Sequence, residues 1–151
     1  MRVVIQRVKA CFVSIKGEIK SNIGAGLLVL ASFENADTDE DLTWMSGKIA
    51  DLRIFDDEND IMNLSLKAVK GEMMIVSQFT LHAKTKKGNR PSYIKAAKPE
   101  LAIPMYEKFI KISENEIGKE IKTGEFGADM QISLINDGPV TIIIDSKDRD
   151  L

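Results

Sequence analysis

The sequence predicts a single α/β domain in which helices cover one face of stacked β-sheet. Three observations carry this. Leu27-Leu28-Val29-Leu30-Ala31 is a continuous apolar run, the pattern of a strand buried on both faces. Leu42, Met45, Ile49 and Leu52 recur at the spacing of one helix face. Near the C-terminus, two runs rich in branched residues, Met130–Ile135 and Val140–Ile144, are separated only by a short turn-forming stretch. Strands interleaved with helices in this way define an α/β arrangement.

Taken in order, Met1–Val8 and Ala10–Ile15 read as strands, and Lys16-Gly17-Glu18 turns the chain toward Ile19. Gly24-Ala25-Gly26 leads into the buried run. Asp37 followed by Glu40 has the spacing of an N-cap and its capping partner, so a helix is expected over 38–52. Arg53-Ile54-Phe55 begins another strand. Asp56-Asp57-Glu58-Asn59-Asp60 reads as a solvated loop, because it lacks the glycine and distal glutamate of an EF-hand loop. Glu72 to Leu81 alternates as a strand. A second helix is expected over 104–115, with Met105, Phe109 and Ile112 inward and Pro104 in the first turn, where its missing N–H does no harm. The two C-terminal runs are expected as strands joined by a tight turn.

The chain of 151 residues shows no internal repeat, low-complexity tract or linker, so residues 1–151 are expected to form one domain. A domain of this size buries roughly 68–70% of its unfolded surface. Net charge is −2, so any nucleic-acid binding has to come from a local patch rather than a global field. Cys11 is the only cysteine, which excludes an intramolecular disulfide and a cysteine zinc cluster, and its apolar surroundings suit a buried thiol. A single histidine, His82, likewise argues against a histidine-rich metal site. No metal or cofactor is therefore expected. The first residues are too interrupted by charge for a signal peptide, and no apolar run approaches the ~20 residues that span a bilayer, so no membrane partner and a cytoplasmic location are expected.

Four segments have the makings of a site. Ser77-Gln78-Phe79-Thr80-Leu81 places hydroxyls, an amide and main-chain donors at a strand end, a plausible ledge for an oxyanion. On an extended chain Thr80 and His82 share a face, which raises a nucleophile–base pair, although no acidic partner stands beside them. From His82 to Lys98 the chain carries Lys84, Lys86, Lys87, Arg90, Lys95 and Lys98 with no acidic residue, and Tyr93 is available to stack on a base. That segment is either a phosphate-seeking surface or a solvated loop. Gly124-Glu125-Phe126-Gly127-Ala128-Asp129-Met130 sets small residues around Phe126 and Met130, as a pocket wall or an anchored loop would. Finally, Asn136-Asp137-Gly138-Pro139-Val140-Thr141 combines a residue without Cβ and one with fixed φ, which makes either an ordinary hairpin turn or a rigid corner of exposed carbonyls.

Together, Ser77-Gln78-Phe79-Thr80-Leu81 and Asn136-Asp137-Gly138-Pro139-Val140-Thr141 resemble the two-motif signature of D-aminoacyl-tRNA deacylases. The similarity extends through Met1–Val8, Gly26–Leu30, Lys48–Phe55, Met62–Leu66 and Phe126–Gln131. It implies a homodimer of three-layer α/β/β domains that hydrolyses the ester between a D-amino acid and the tRNA 3′ end. It implies a cis Gly138–Pro139 bond, supported by Arg7, that enters the other subunit's site and reads the amino acid through carbonyl groups. It further implies catalytic roles for Ser77, Gln78 and Thr80, and a substrate pocket that includes Phe79, Phe126 and Met130. Lys84, Lys86, Lys87 and Arg90 would meet the tRNA. Two stretches depart from the family pattern, Ser32–Asp37 and Ile103-Pro104, and both are expected to change local loops without touching the pocket. The alternatives from other classes are a non-catalytic RNA-binding module using residues 82–98 and a structural dimer in which Gly138-Pro139 is only a turn.

Overall fold

A computed structural model describes all residues, 1–151. The strands are β1 (Arg2–Ile15), β2 (Glu18–Ile23), β3 (Gly26–Ser32), β4 (Phe55–Asp56), β5 (Met62–Leu64), β6 (Glu72–Ser77), β7 (Lys122–Thr123) and β8 (Gln131–Asp145). The helices are α1 (Asp39–Asp51), the single turn α2 (Leu66–Val69) and α3 (Pro99–Ile117), with a short 3-10 turn at Phe79–His82. This is the expected α/β class, with two main helices and a mixed sheet.

Six strands form that sheet, in the order β2-β1-β3-β6-β7, with β8 also paired to β1. β3 and β6 run parallel, from Gly26 opposite Glu72 to Ala31 opposite Ser77. Residues 2–8 of β1 pair with β3 and residues 11–15 with β2, while β8 runs antiparallel beside both halves. Register shifts near Val8 bend β1, so its second half turns away from the first.

That bend builds a core on each side of β3 and β6. Val3, Ile5, Leu27, Val29, Met73 and Ile75 share one core with Leu42, Met45 and Ile49 of α1 and Phe109 of α3. Their alternates Leu28, Met74 and Val76 pack instead with Val8, Cys11, Val13 and Ile23, closed over by Ile132 and Leu134 of β8. The period of two along each strand sends alternate side chains to opposite faces, which is why a continuous apolar run was needed here. Cys11 is fully buried, and burial pushes its thiol up to about 11.

Several boundaries differ from the sequence expectations. The cap of α1 is Thr38, whose hydroxyl accepts from Asp41 N–H while the Asp41 carboxylate accepts from Thr38 N–H, a complete capping box one residue later than expected. Asp37 instead accepts from the Met1 ammonium and from Glu34 N–H at 2.8 Å. α3 begins at Pro99, not at Pro104, and runs through Pro104 in its interior. Its fully buried face is Ala102, Tyr106, Phe109 and Ser113, with Met105 and Ile112 packed at the margin. In the acidic loop, Asp57 turns its carboxylate onto Asn59 N–H at 2.9 Å and Ile61 N–H at 3.1 Å.

The largest correction is at the C-terminus. Residues 131–145 are one strand, not two strands joined by a hairpin turn. Between the pairs Gln6–Thr141 and Val8–Asn136, β1 advances two residues and β8 five, leaving three extra residues in β8. The segment 136–141 is therefore a wide bulge on a strand held at both ends by the same partner. A hairpin would require the two runs to pair with each other, whereas β1 is long enough to pair with both.

Candidate active site

A cavity of about 300 Å³ opens where β3 and β6 end. Ala31 and Ser32 line it from β3, Val76 and Ser77 from β6, and Gln78 and Phe79 from the segment after β6. Phe126, Asp129 and Met130 also line it, so of the two readings left open for the 124–130 segment the pocket wall is the one seen. Gly124 packs so closely on the Met130 sulfur that a Cβ would displace it, so this glycine seats the wall residue. A shallower depression of about 920 Å³ lies over the β1–β2 turn, lined chiefly by charged and polar residues, and none of the expected catalytic groups reaches it. The smaller cavity, where hydroxyl, amide and main-chain donors converge on apolar walls, has the composition of a ligand site.

The chain departs from strand geometry just at this cavity. β6 stops at Ser77, and Phe79–His82 curl into a 3-10 turn instead of extending the strand to Leu81. Gln78 N–H still donates to Ala31 O at 2.7 Å, so the turn remains tied to β3. The Phe79 and Thr80 N–H groups, which begin this turn, have no hydrogen-bond acceptor within the chain. Such first-turn donors suit a developing negative charge. Gln78 Nε2 lies 2.6 Å from Thr80 Oγ1.

The curl also dissolves the Thr80–His82 pairing. His82 points inward, 4% exposed, with Nδ1 at 2.6 Å from Ser32 Oγ and Nε2 at 4.0 Å from Glu34. Burial lowers its pKa; Arg2 and the N-terminal ammonium act in the same direction, and Glu34 and Asp37 oppose them. The sequence expectation that the 32–37 departure leaves the pocket untouched is corrected here, because Ser32 and Phe33 both line the cavity. Ile103 and Pro104 do not line it. Sequence reasoning also missed Ala97 and Ala102 as wall residues, since small apolar side chains carry no chemical signal.

The bulge on β8 is fixed from two directions. Arg7, with a side chain only 7% exposed, donates from Nε to Asp137 O at 2.9 Å and from an η nitrogen to Ile54 O at 2.6 Å. Asn136 Oδ1 accepts from Val140 N–H at 2.9 Å, and its amide reaches Thr141 Oγ1 at 3.0 Å. Between these ties, Gly138–Pro139 is a cis peptide and both residues are exposed. Gly138 has φ +134°, and a Cβ there would meet Val140 Cγ2 at 2.8 Å and Arg7 Nη2 at 3.1 Å. Only glycine fits. Neither Gly138 nor Pro139 lines the cavity of its own chain.

Lys84, Lys86, Lys87 and Arg90 are exposed on a loop closed by the mutual backbone bonds of Lys84 and Ser92, at 2.8 and 3.0 Å. Just past that loop, the Tyr93 ring stands edge-on to Phe79, a residue of the cavity wall, with centroids 5.0 Å apart. No helix is long and apolar enough to cross a membrane.

The family model for D-Tyr-tRNA(Tyr) deacylase matches residues 4–145. A D-aminoacyl-tRNA deacylase of Flavobacterium johnsoniae is 61% identical over 150 residues, covering 99% of this chain and 100% of the relative. One from Parabacteroides distasonis is 59% identical over the same span, with the same coverage. Among solved structures, the c-Myc DNA Unwinding Element Binding Protein superposes with a TM-score of 0.90 at 38% identity, covering 96% of this chain and 98% of its own. A probable eukaryotic D-amino acid tRNA deacylase shares the fold, with a TM-score of 0.82 at 18% identity, covering 95% of this chain and 97% of its own. Fold, cavity and relatives define a hydrolase of carboxylic esters. The chain belongs to the D-Tyr-tRNA(Tyr) deacylase family. Its reaction is hydrolysis of the ester bond of aminoacyl-tRNA.

Proposed function

We propose that this hydrolase acts on D-aminoacyl-tRNA and spares the L form because the Gly138-Pro139 corner of a second protomer closes the cavity with rigid main chain. The observation that carries the reading is the placement of that corner. It is exposed, pinned by Arg7 and Asn136, and absent from the wall of its own cavity. Its neighbours on β8 include Ile135 and Ile143, at least half exposed and apolar, which suits association of two copies through this strand. Handedness changes only where the side chain and the hydrogen point. A stiff wedge of backbone accommodates hydrogen and clashes with the Cβ of the L form. Discrimination of 10⁴-fold needs about 5.5 kcal/mol of differential binding, which a clash and a displaced ammonium together supply. Glycine has no Cβ to exclude, so glycyl-tRNA is a substrate on the same logic.

The chemistry is positioning and electrostatic stabilisation. The unpaired N–H groups of Phe79 and Thr80 stabilise the oxyanion and Ser77 and Gln78 orient the ester, while the terminal ribose 2′-OH activates the water that adds to the carbonyl carbon, and the 3′-oxygen leaves with a proton from that water. Thr80 as nucleophile is the second reading. It is weaker, because the partner of Thr80 Oγ1 is the Gln78 amide, which is no base in either orientation, and His82 is turned away. Lys84, Lys86, Lys87 and Arg90 receive tRNA phosphates, and Tyr93 beside Phe79 leads the 3′ end to the cavity. As an enzyme of tRNA proofreading, the protein works in the cytoplasm.

The test is hydrolysis of D-Tyr-tRNA against L-Tyr-tRNA, with the oligomeric state measured by light scattering. Release of the D-amino acid alone by a dimer is the expected result. Equal hydrolysis of both forms, or full discrimination by a monomer, would sink the proposal. Loss of all activity in Thr80→Ala with tRNA binding intact, and its retention in Thr80→Ser, which keeps the hydroxyl, would move the nucleophile to Thr80.

A further inference from the structure

We infer that Ser32 and His82 are positioning residues: as a buried pair they hold the Phe79–Thr80 peptide whose N–H group faces the ester. The inference rests on the reading above, in which that N–H stabilises the oxyanion. Ser32 belongs to a stretch where this chain departs from the family resemblance, and neither residue has a part in the mechanism so far.

The geometry is a relay through one hydroxyl. Ser32 Oγ stands 2.6 Å from His82 Nδ1 and 3.4 Å from the carbonyl oxygen of Phe79. A hydroxyl can accept one hydrogen bond and donate another. With the proton on Nδ1, His82 donates to Ser32, and Ser32 donates to the Phe79 carbonyl. That carbonyl and the Thr80 N–H belong to the same planar peptide, so a donor that holds the oxygen also sets the direction of the N–H. Polarising the carbonyl also makes the N–H a better donor.

Two further contacts show that the turn is anchored from behind. Gln78 N–H donates to Ala31 O at 2.7 Å before the turn, and Arg2 donates to Leu81 O at 3.0 Å after it. Within the turn, Leu81 N–H donates to Gln78 O at 3.2 Å and Ala83 N–H to Thr80 O at 3.1 Å, and the Ser32–His82 pair adds a side-chain tie to the Phe79–Thr80 peptide itself. Burial keeps His82 neutral near pH 7; Glu34 and Asp37 pull against this, while Arg2 and the N-terminal ammonium favour it. A neutral ring carries its proton on one nitrogen only, so the tautomer decides whether Ser32 is free to donate to Phe79.

The experiment uses the full-length protein, D-Tyr-tRNA and the variants Ser32→Ala, Ser32→Thr, His82→Leu and His82→Asn. Ser32→Ala and His82→Leu are expected to lower kcat roughly tenfold while KM stays nearly constant, since the donor acts mainly in the transition state. Ser32→Thr and His82→Asn keep a donor in place and are expected to recover most of the rate. Nitrogen NMR of the unaltered protein gives a readout independent of folding in the variants, with a protonated Nδ1 expected. A proton on Nε2 alone, or unchanged kcat in Ser32→Ala, overturns this inference while leaving deacylation intact. An unaltered protein that fails to hydrolyse D-Tyr-tRNA would sink the reading beneath it as well.

Discussion

Arg7 connects sequence to site more directly than any other side chain. It sits on β1, yet its guanidinium spans two carbonyls from distant parts of the chain, Ile54 at 2.6 Å and Asp137 at 2.9 Å. A fixed fork of donors suits this task in a way a lysine ammonium does not. Arg7→Ala leaves both carbonyls without their charged donor, at about 1.5–3 kcal/mol per hydrogen bond of this kind. The expected outcome is a lower urea midpoint together with loss of discrimination between D- and L-Tyr-tRNA. A variant with unchanged midpoint and selectivity would show that the corner is held by Asn136 alone. Roles for Arg7, Gly138 and Pro139 were legible through the family resemblance. The role of Ser32 was not, because its partner His82 lies fifty positions away and meets it only after the chain curls.

Among the elements, α1 shows how a cap couples stability to pH. Burial alone would raise the Asp41 pKa, but the Lys147 ammonium at 2.6 Å and the Thr38 N–H at 2.8 Å overcome it and hold the carboxyl well below the usual range. A carboxyl depressed in the folded state favours folding above its unfolded value of about 3.9, and that contribution fades as pH falls through the folded value. Asp41→Asn should therefore lose about 1.5–3 kcal/mol at pH 7, with the gap to the unaltered protein closing in strong acid. Chemical denaturation at pH 7 and below pH 3 measures both limits, and a pH-independent gap would refute the assignment. The helix itself was readable from Leu42, Met45 and Ile49; the capping residue was not. Asp37 and Thr38 are both good caps by type, and the choice fell to Thr38 because the Met1 ammonium engages Asp37. Likewise the end of β6 and the start of α3 depend on what each segment packs against, which local pattern does not encode.

For the whole molecule, the charge distribution sets the salt dependence of tRNA binding. A chain of net charge −2 presents its cations locally, on the loop beside Phe79 and Tyr93. Reversing Lys86 and Lys87 to glutamate should weaken tRNA binding and flatten its dependence on salt, by about 0.7–0.9 in the log–log slope for each phosphate contact removed. Filter binding across a salt series checks this, and an unchanged slope would place the tRNA elsewhere. Period and composition alone determined the α/β class, the doubly buried β3 and the buried thiol, because each depends on local spacing or on residue type; β6, read as alternating, is instead buried on both faces from Met73 to Val76, and the residues at the cavity mouth came from the family resemblance. The tertiary structure decided that residues 131–145 are one strand beside β1, that Thr80 and His82 part company, and that Gly138-Pro139 stands outside its own cavity. Those outcomes turn on which distant backbone supplies hydrogen bonds to a segment, and strand partners are chosen by the packing of the whole chain rather than by neighbours in sequence.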